Sequence, residues 1–202
     1  LLIEKDSFAP PDLFFLVRGV CEHFRAFAES GDNDLTGIRL FAGQFIGVAE
    51  ILSPQPMKRR NQVRAKTRVS ALRIRGRDFL HWSQICLPVY NAILLYIIEQ
   101  KHDDQRLYRE CNVNNSLLAG ARYISFLYSI YRDCCEPDEE GAIRILETRS
   151  EIGRYIGRDP RSVDRIIQKL REKGYVGGSH RKITVTEEQH QRLLELVEEL
   201  TL

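Results

Sequence analysis

Residues 148–185 read TRSEIGRYIGRDPRSVDRIIQKLREKGYVGGSHRKITV. Thr148-Arg149-Ser150-Glu151 has the pattern of a capping box, in which the threonine hydroxyl accepts from the amide three residues on and Glu151 reaches back to the cap. A helix is therefore expected to start here, with Ile152, Tyr155 and Ile156 on one face and Gly153 giving a second helix room to cross closely. Gly157 suits a left-handed stop. Asp159 followed by Pro160 repeats a start signal, because aspartate caps well and proline at the first helical position loses no needed hydrogen bond.

In the second helix Val163, Ile166, Ile167 and Leu170 recur at three- and four-residue steps and are expected to pack inward. That leaves Arg161, Ser162, Arg165 and Lys169 outward. Tyr175-Val176 and Lys182-Ile183-Thr184-Val185 read as two short strands around the turn Gly177-Gly178-Ser179-His180. From Arg144 to Lys182 there are 11 Lys or Arg against 5 Asp or Glu, a local charge of +6 in a chain whose total is +2. Two helices, a small hairpin and concentrated cations together have the spacing of a winged helix-turn-helix, in which the second helix enters a groove of double-stranded DNA and lysines and arginines displace counterions from phosphates.

Glu151-Ile152-Gly153, Ile156-Gly157, Val163 and Arg165-Ile166 closely resemble the helix-turn-helix of the cyclic-AMP receptor protein/FNR superfamily of bacterial transcription regulators. Three N-terminal segments resemble the same family in its order. Leu13-Phe14-Phe15-Leu16-Val17-Arg18-Gly19 is similar to its strand ending in a glycine turn, Gly43-Gln44-Phe45-Ile46-Gly47 to its glycine corner, and Val63-Arg64-Ala65-Lys66-Thr67 to the strand beyond the effector loop. The resemblance implies a homodimer that answers to a small effector and meets RNA polymerase on DNA, and the five cysteines, with no C-x-x-C pair and no repeated spacing, read as those of a reduced, cytoplasmic protein.

The rest of the chain is consistent with that plan. With 202 residues, 43% hydrophobic and 29% charged, it has material for two small domains and contains no apolar run of membrane-spanning length and no visible signal peptide. Up to about residue 80 it reads as short strands punctuated by glycine and proline, the pattern of an all-β roll or barrel; Cys21 to Phe27 alternates, Glu29 to Asp34 is a polar turn cluster, and Ala65, Thr67 and Val69 keep period two. After Pro88 a long helix is expected. In it Ile93, Ile97, Gln100, Asp104, Leu107 and Cys111 step by four and three as a heptad seam, interrupted by its two polar members. The family's corresponding helix pairs across a two-fold axis; packing on its own barrel is the alternative. Asn112 to Ser116 is poor in helix formers and predicts a hinge, with Ser116 capping the next helix, Leu117 to Tyr131. Asp133 to Gly141 is an acidic loop, and Thr186 caps a last helix.

The expected fold is thus α+β. A cyclic-nucleotide-binding-like β-roll, or jelly roll, senses an effector over residues 1–86, a long dimerisation helix and hinge follow over 87–115, and a winged helix-turn-helix occupies 116–202.

The resemblance also carries candidate sites. Gly47 and Arg59 match the family's nucleotide-binding glycine and phosphate arginine by position, but Val48 replaces the ribose carboxylate and Arg60 stands where a serine belongs. Cyclic AMP is therefore disfavoured; a small anion held by Arg59 and Arg60 is one reading, an exposed basic loop the other. No cofactor is specified: His23 and His81 are isolated for a haem or metal ligand, and the cysteines at 21, 86, 111, 134 and 135 lack the N-terminal cluster of the FNR branch. Vicinal Cys134-Cys135 reads as a redox or soft-metal pair or as incidental. On the reading helix Pro160 and Arg161 stand where the best-known member carries two base readers, so the operator is expected to differ. Arg161 and Arg165 are candidates for guanine contacts, with phosphate contact as the alternative. Arg149, Arg158, Lys169, Arg181 and Lys182 fit phosphate contact or solvation. Two other classes remain: a cupin-like enzyme, which needs more clustered ligands than the barrel region offers, and an effector-independent DNA-binding or interaction protein whose barrel is an empty scaffold.

Overall fold

A computed structural model describes residues 12–25, 38–52, 61–179 and 182–201. The chain divides into two compact units, Leu1–Lys101 and His102–Leu202, and the division falls inside one continuous helix, Leu87–Cys111.

In the first unit the strands are β1 (Leu13–Arg18), β2 (Cys21–Arg25), β3 (Ile38–Leu40), β4 (Phe45–Ile46), β5 (Asn61–Ala65) and β6 (Ser70–Ile74), with a short helix α1 (Val48–Leu52) after β4. They form two antiparallel sheets of order β4-β1-β6 and β3-β2-β5. Among the described residues the two sheets form no closed barrel. Their facing side chains make the core: Leu16 and Ile46 from one sheet meet Cys21 and Val63 from the other. A glycine is required between β1 and β2, since Gly19 has φ +100° and a Cβ there would lie 2.3 Å from the Arg68 carbonyl oxygen. The period-two reading of Ala65, Thr67 and Val69 as strand is also corrected. The chain bends after Ala65 because the Val20 amide donates to the Thr67 hydroxyl (2.9 Å), and the Lys66 and Thr67 amides both donate to the Val20 carbonyl, so the turn takes the groups that a ladder needs. Cys21 to Arg25 forms β2, while the turn cluster Glu29 to Asp34 lies outside the described residues.

Two helices complete this unit, α2 (Gly76–Ile85) and the first part of α3 (Leu87–Cys111), bent by 112° at Cys86. Phe79 of α2 and Ile93 of α3 bury against Leu13 and Ile51. The Tyr96 hydroxyl accepts from the Phe45 amide at 2.8 Å, and its ring meets that of Phe45 edge-on at 5.1 Å. Among the described residues no single helix is long and apolar enough to cross a membrane.

The second unit holds the end of α3, then α4 (Ser116–Tyr131), β7 (Ile143–Ile145), α5 (Arg149–Ile156), α6 (Pro160–Glu172), β8 (Ile183–Val185) and α7 (Glu187–Glu199). Helix α4 is buried on most sides, with Leu118, Ala119, Tyr123, Ile124, Leu127 and Tyr131 in the core. Its cap is Asn115, whose side chain accepts from the amides of Leu117 and Leu118; the start expected at Leu117 with Ser116 as cap moves back by one residue because the amide oxygen reaches both donors. The expected strand Tyr175-Val176 does not form. β8 pairs instead with β7 along one edge, Ile143 with Val185 and Ile145 with Ile183, and its other edge keeps one isolated bridge, Gly177 with Thr184. The Tyr175 amide is held by the Leu170 carbonyl at 2.8 Å as the end of α6, which keeps it out of a ladder.

Candidate nucleic-acid interface

Both start signals of the quoted stretch are realised. Thr148 accepts from the Glu151 amide and Glu151 reaches back to the Thr148 amide, so α5 begins with a complete capping box. It ends at Gly157 in the left-handed conformation, φ +65° and ψ +40°. Asp159 then caps α6, accepting from the amides of Arg161 (3.0 Å) and Ser162 (3.1 Å), and Pro160 occupies the first turn. The Ser162 hydroxyl donates to the second Asp159 oxygen at 2.5 Å, and this bond, with the two amides, holds the Asp159 carboxyl below the ordinary carboxylate range.

Helix α6 has two unlike faces. Val163, Ile166, Ile167 and Leu170 are buried. Two glycines let it approach its neighbours: a Cβ on Gly153 of α5 would lie 2.3 Å from the Arg158 carbonyl oxygen, and one on Gly120 of α4 would lie 2.4 Å from an Ile166 methyl carbon. Opposite this packed side, Arg161, Arg165, Gln168 and Lys169 are exposed. Among the described residues none of Arg161, Arg165 and Lys169 makes a side-chain ion pair. Gln168 went unnoticed in the sequence because it is uncharged; its three-residue step from Arg165 was the available signal.

The other cations divide. Lys182 is exposed beside β8, and Arg181 lies outside the described residues. Ser162 turns to its cap as described. Arg149 is half-buried and donates through Nε to Asp164 at 2.7 Å, joining α5 to α6. Arg158 is half-buried and donates to oxygens of Val113, Asn114, Ser116 and Gly157. Arg171, which the sequence reading left without a role, donates to the carbonyls of Ser179 (3.0 Å) and Lys182 (3.5 Å) and so ties the loop before β8 to the end of α6. In that loop Gly178, at φ +89°, admits no side chain, because a Cβ would lie 2.5 Å from the Lys182 carbonyl oxygen.

On α3 the residues of the expected seam do not share one environment. Ile93 is buried within its own unit, Gln100 and Leu107 are half-buried, Ile97 and Asp104 are exposed, and Cys111 is fully buried. Leu87, Tyr90, Leu94 and Ile97 follow one another by three, four and three residues and are 68%, 46%, 41% and 39% exposed. This apolar stripe shares Ile97 with the expected seam but takes Leu94 where the seam takes Ile93, and Lys101, Asp104 and Tyr108 continue its spacing.

Of the effector candidates, Gly47 forms a turn of φ +99° between β4 and α1, and Arg59 and Arg60 lie outside the described residues. Burial pushes the thiols of Cys21 and Cys111 up to about 11 and about 12, which makes them poor nucleophiles. The sulfurs of Cys134 and Cys135 are 4.0 Å apart at the end of α4. Among the described residues no cluster of three or more His, Cys, Asp or Glu has the arrangement of a metal site.

The order and packing of these elements match solved transcription regulators. No protein-family model matches the sequence, and no curated protein sequence matches it. A CRP/FNR-family transcriptional regulator of Thermus thermophilus superposes with a TM-score of 0.69 at 16% identity, over 96% of this chain and 91% of that one. FixK2 of Bradyrhizobium japonicum gives 0.64 at 17% identity, over 96% and 91%. The global regulator CLP of Xanthomonas campestris, described as responsive to c-di-GMP, gives 0.57 at 14% identity, over 92% and 88%. The chain has the fold of the CRP/FNR regulators.

Proposed function

We infer that the chain is a sequence-specific DNA-binding transcription regulator acting as a homodimer, and not an enzyme. A cyclic-nucleotide-binding-like β-roll precedes a dimerisation helix and a winged helix-turn-helix whose recognition helix is α6. One observation carries this reading: Arg161, Arg165, Gln168 and Lys169 stand exposed on a helix whose opposite face is wholly buried. A helix so held presents the guanidiniums of Arg161 and Arg165 as donors of the kind that reads guanine edges in a major groove, while the Gln168 amide donates to Glu172 at 2.9 Å, and the surrounding positive charge suits phosphates. Arg161 and Arg165 are assigned to bases, and Lys169, Arg181 and Lys182 to the backbone.

The dimer reading rests on the α3 stripe. Leu87, Tyr90, Leu94 and Ile97 leave apolar surface facing water at heptad spacing, which a parallel twin buries. Two recognition helices then meet half-sites about one helical turn apart, which supplies the specificity ratio a single helix lacks. Ile97 belongs to both the expected seam and the exposed stripe, so Ile97→Glu is the variant expected to give monomers by sedimentation equilibrium; a dimer of unchanged affinity would remove the stripe from the interface.

Gly47, Arg59 and Arg60 are assigned to a small anionic effector of the β-roll. The cyclic dinucleotide response described for the Xanthomonas regulator supports an anion. RNA polymerase and a cytoplasmic location follow from the same family likeness. The deciding experiment is selection of bound sequences from a random duplex pool, with and without a metabolite extract. A palindromic site recovered in either condition supports the regulator; no enrichment over random duplex sinks it. Equal affinity for the site with and without extract would favour a scaffold roll that senses nothing.

A further inference from the structure

The geometry points to Arg158 as a positioning residue that locks the hinge Asn112–Ser116 onto the turn entering the reading helix, and not as a DNA ligand. Its guanidinium uses three faces at once. Nε donates to the Ser116 hydroxyl at 3.0 Å, one terminal nitrogen donates to the carbonyls of Val113 (2.8 Å) and Asn114 (3.3 Å), and the other donates to the Gly157 carbonyl at 2.9 Å. The Val113 and Asn114 carbonyls belong to the break between α3 and α4, where no helix supplies partners for them, and the Gly157 carbonyl to the turn between α5 and α6, so a fixed fork of donors joins the two breaks.

A second side chain closes the same junction from the hinge side. Asn112 donates to the Tyr108 carbonyl on α3 and to the Tyr155 carbonyl on α5, both at 3.1 Å. Its own oxygen would lie 2.5 Å from a Cβ on Gly157, so glycine is needed there for space as well as for its left-handed backbone. Arg158 immediately precedes Asp159, the cap of α6, and its amide donates to the Gly153 carbonyl at 2.8 Å. Backbone and side chain of one residue thus fix where α6 begins relative to the last turn of α3 and the first turn of α4.

Lysine at 158 keeps the charge but loses the planar fork, and the two roles divide on that difference. A phosphate contact tolerates a point charge, whereas a three-way clamp does not. This proposal rests on α6 being the DNA-reading helix, but its structural half is measurable without DNA. Full-length Arg158→Ala, Arg158→Lys and Ser116→Ala proteins are compared with the wild type by hydrogen exchange. Both Arg158 variants are expected to speed exchange roughly tenfold in peptides spanning residues 112–117 and 157–162, leaving α7 unchanged, with Ser116→Ala acting more weakly in the same segments. On the selected duplex, both Arg158 variants are expected to weaken binding at an unaltered salt slope. Wild-type exchange and affinity in Arg158→Lys, or a slope shallower by about one unit in Arg158→Ala, overturns the clamp in favour of a phosphate contact. Should Arg158→Ala fail to fold, Arg158→Lys and Ser116→Ala carry the comparison. A wild-type protein that selects no duplex refutes the regulator reading, and the exchange arm still decides the clamp.

Discussion

Arg161 and Arg165, on the outward face of α6, and Arg149, Arg158 and Arg171, around its ends, are the same side chain under opposite constraints. The first two are exposed, while the other three reach Asp164, the hinge carbonyls and the loop before β8. One stretch of sequence holds both groups within a few residues of each other. Local positive charge is therefore a poor guide to which cation is free for a partner: a guanidinium beside unpaired carbonyls or a carboxylate is drawn to them, and only those facing away from the fold keep their donors.

The foundation beneath the outward face is the most sensitive point. Gly153→Val forces a Cβ into the Arg158 carbonyl and is expected to cost about 3 kcal/mol of unfolding free energy in urea titrations; an unaltered midpoint would mean that α5 and α6 are free to separate. Arg165→Ala tests the face itself. It is expected to weaken the selected duplex by roughly 1 to 3 kcal/mol, relax selectivity at one base position per half-site and leave unfolding unchanged. Equal loss on selected and random duplex would demote it to a phosphate contact.

Thr148→Ala removes one half of the capping box of α5, and a stability loss of about 1 kcal/mol is expected with the bound sequence unchanged. The smallest effects make the sharpest contrast between the two groups of cations. Arg149→Ala breaks a pair whose carboxylate is half exposed, with a stability cost of about 0.5 kcal/mol and no change in salt slope. Lys182→Ala is expected to do the reverse, leaving stability alone and making the slope shallower by about one unit. If the two exchanged behaviours, the division between outward and engaged cations would collapse.

Acid acts on the same unit through His190, which is buried and stacked on Tyr128 with ring centroids 4.5 Å apart. Burial holds its imidazole below the ordinary value against the pull of Glu187, so the unfolded chain takes up a proton first. Stability from this residue is present above about pH 6.5 and drains away as pH falls below it. His190→Gln is expected to flatten the dependence of unfolding free energy on pH in that window.

Much of this unit was legible along the chain. Caps are local devices, so Thr148, Asp159 and Thr186 announce their helices without reference to anything distant, and Gly157 announces its stop. The apolar period of α6 named its buried face for the same reason. The first unit was legible as strands, but not as the two sheets that its described strands form, because sheet order depends on pairings between segments far apart in sequence. The partner of β8 was missed likewise: Ile143–Ile145 is too short to declare itself, and only tertiary contact makes it a strand. On α3 the expected seam and the exposed stripe share Ile97 but differ at Ile93 and Leu94, since an apolar residue at a given step serves its own core or a partner equally well, and burial alone separates the two.

The sequence by itself determined where α5, α6 and α7 start, which face of α6 is apolar, and that cations crowd around it, because hydrogen-bond capping and helical periodicity operate over three or four residues. Only the tertiary structure decided which of those cations face outward and which are engaged. A guanidinium on a flexible stem goes to whatever acceptors the fold brings within reach, and for Arg158 those on Val113, Asn114 and Ser116 lie more than forty residues away along the chain.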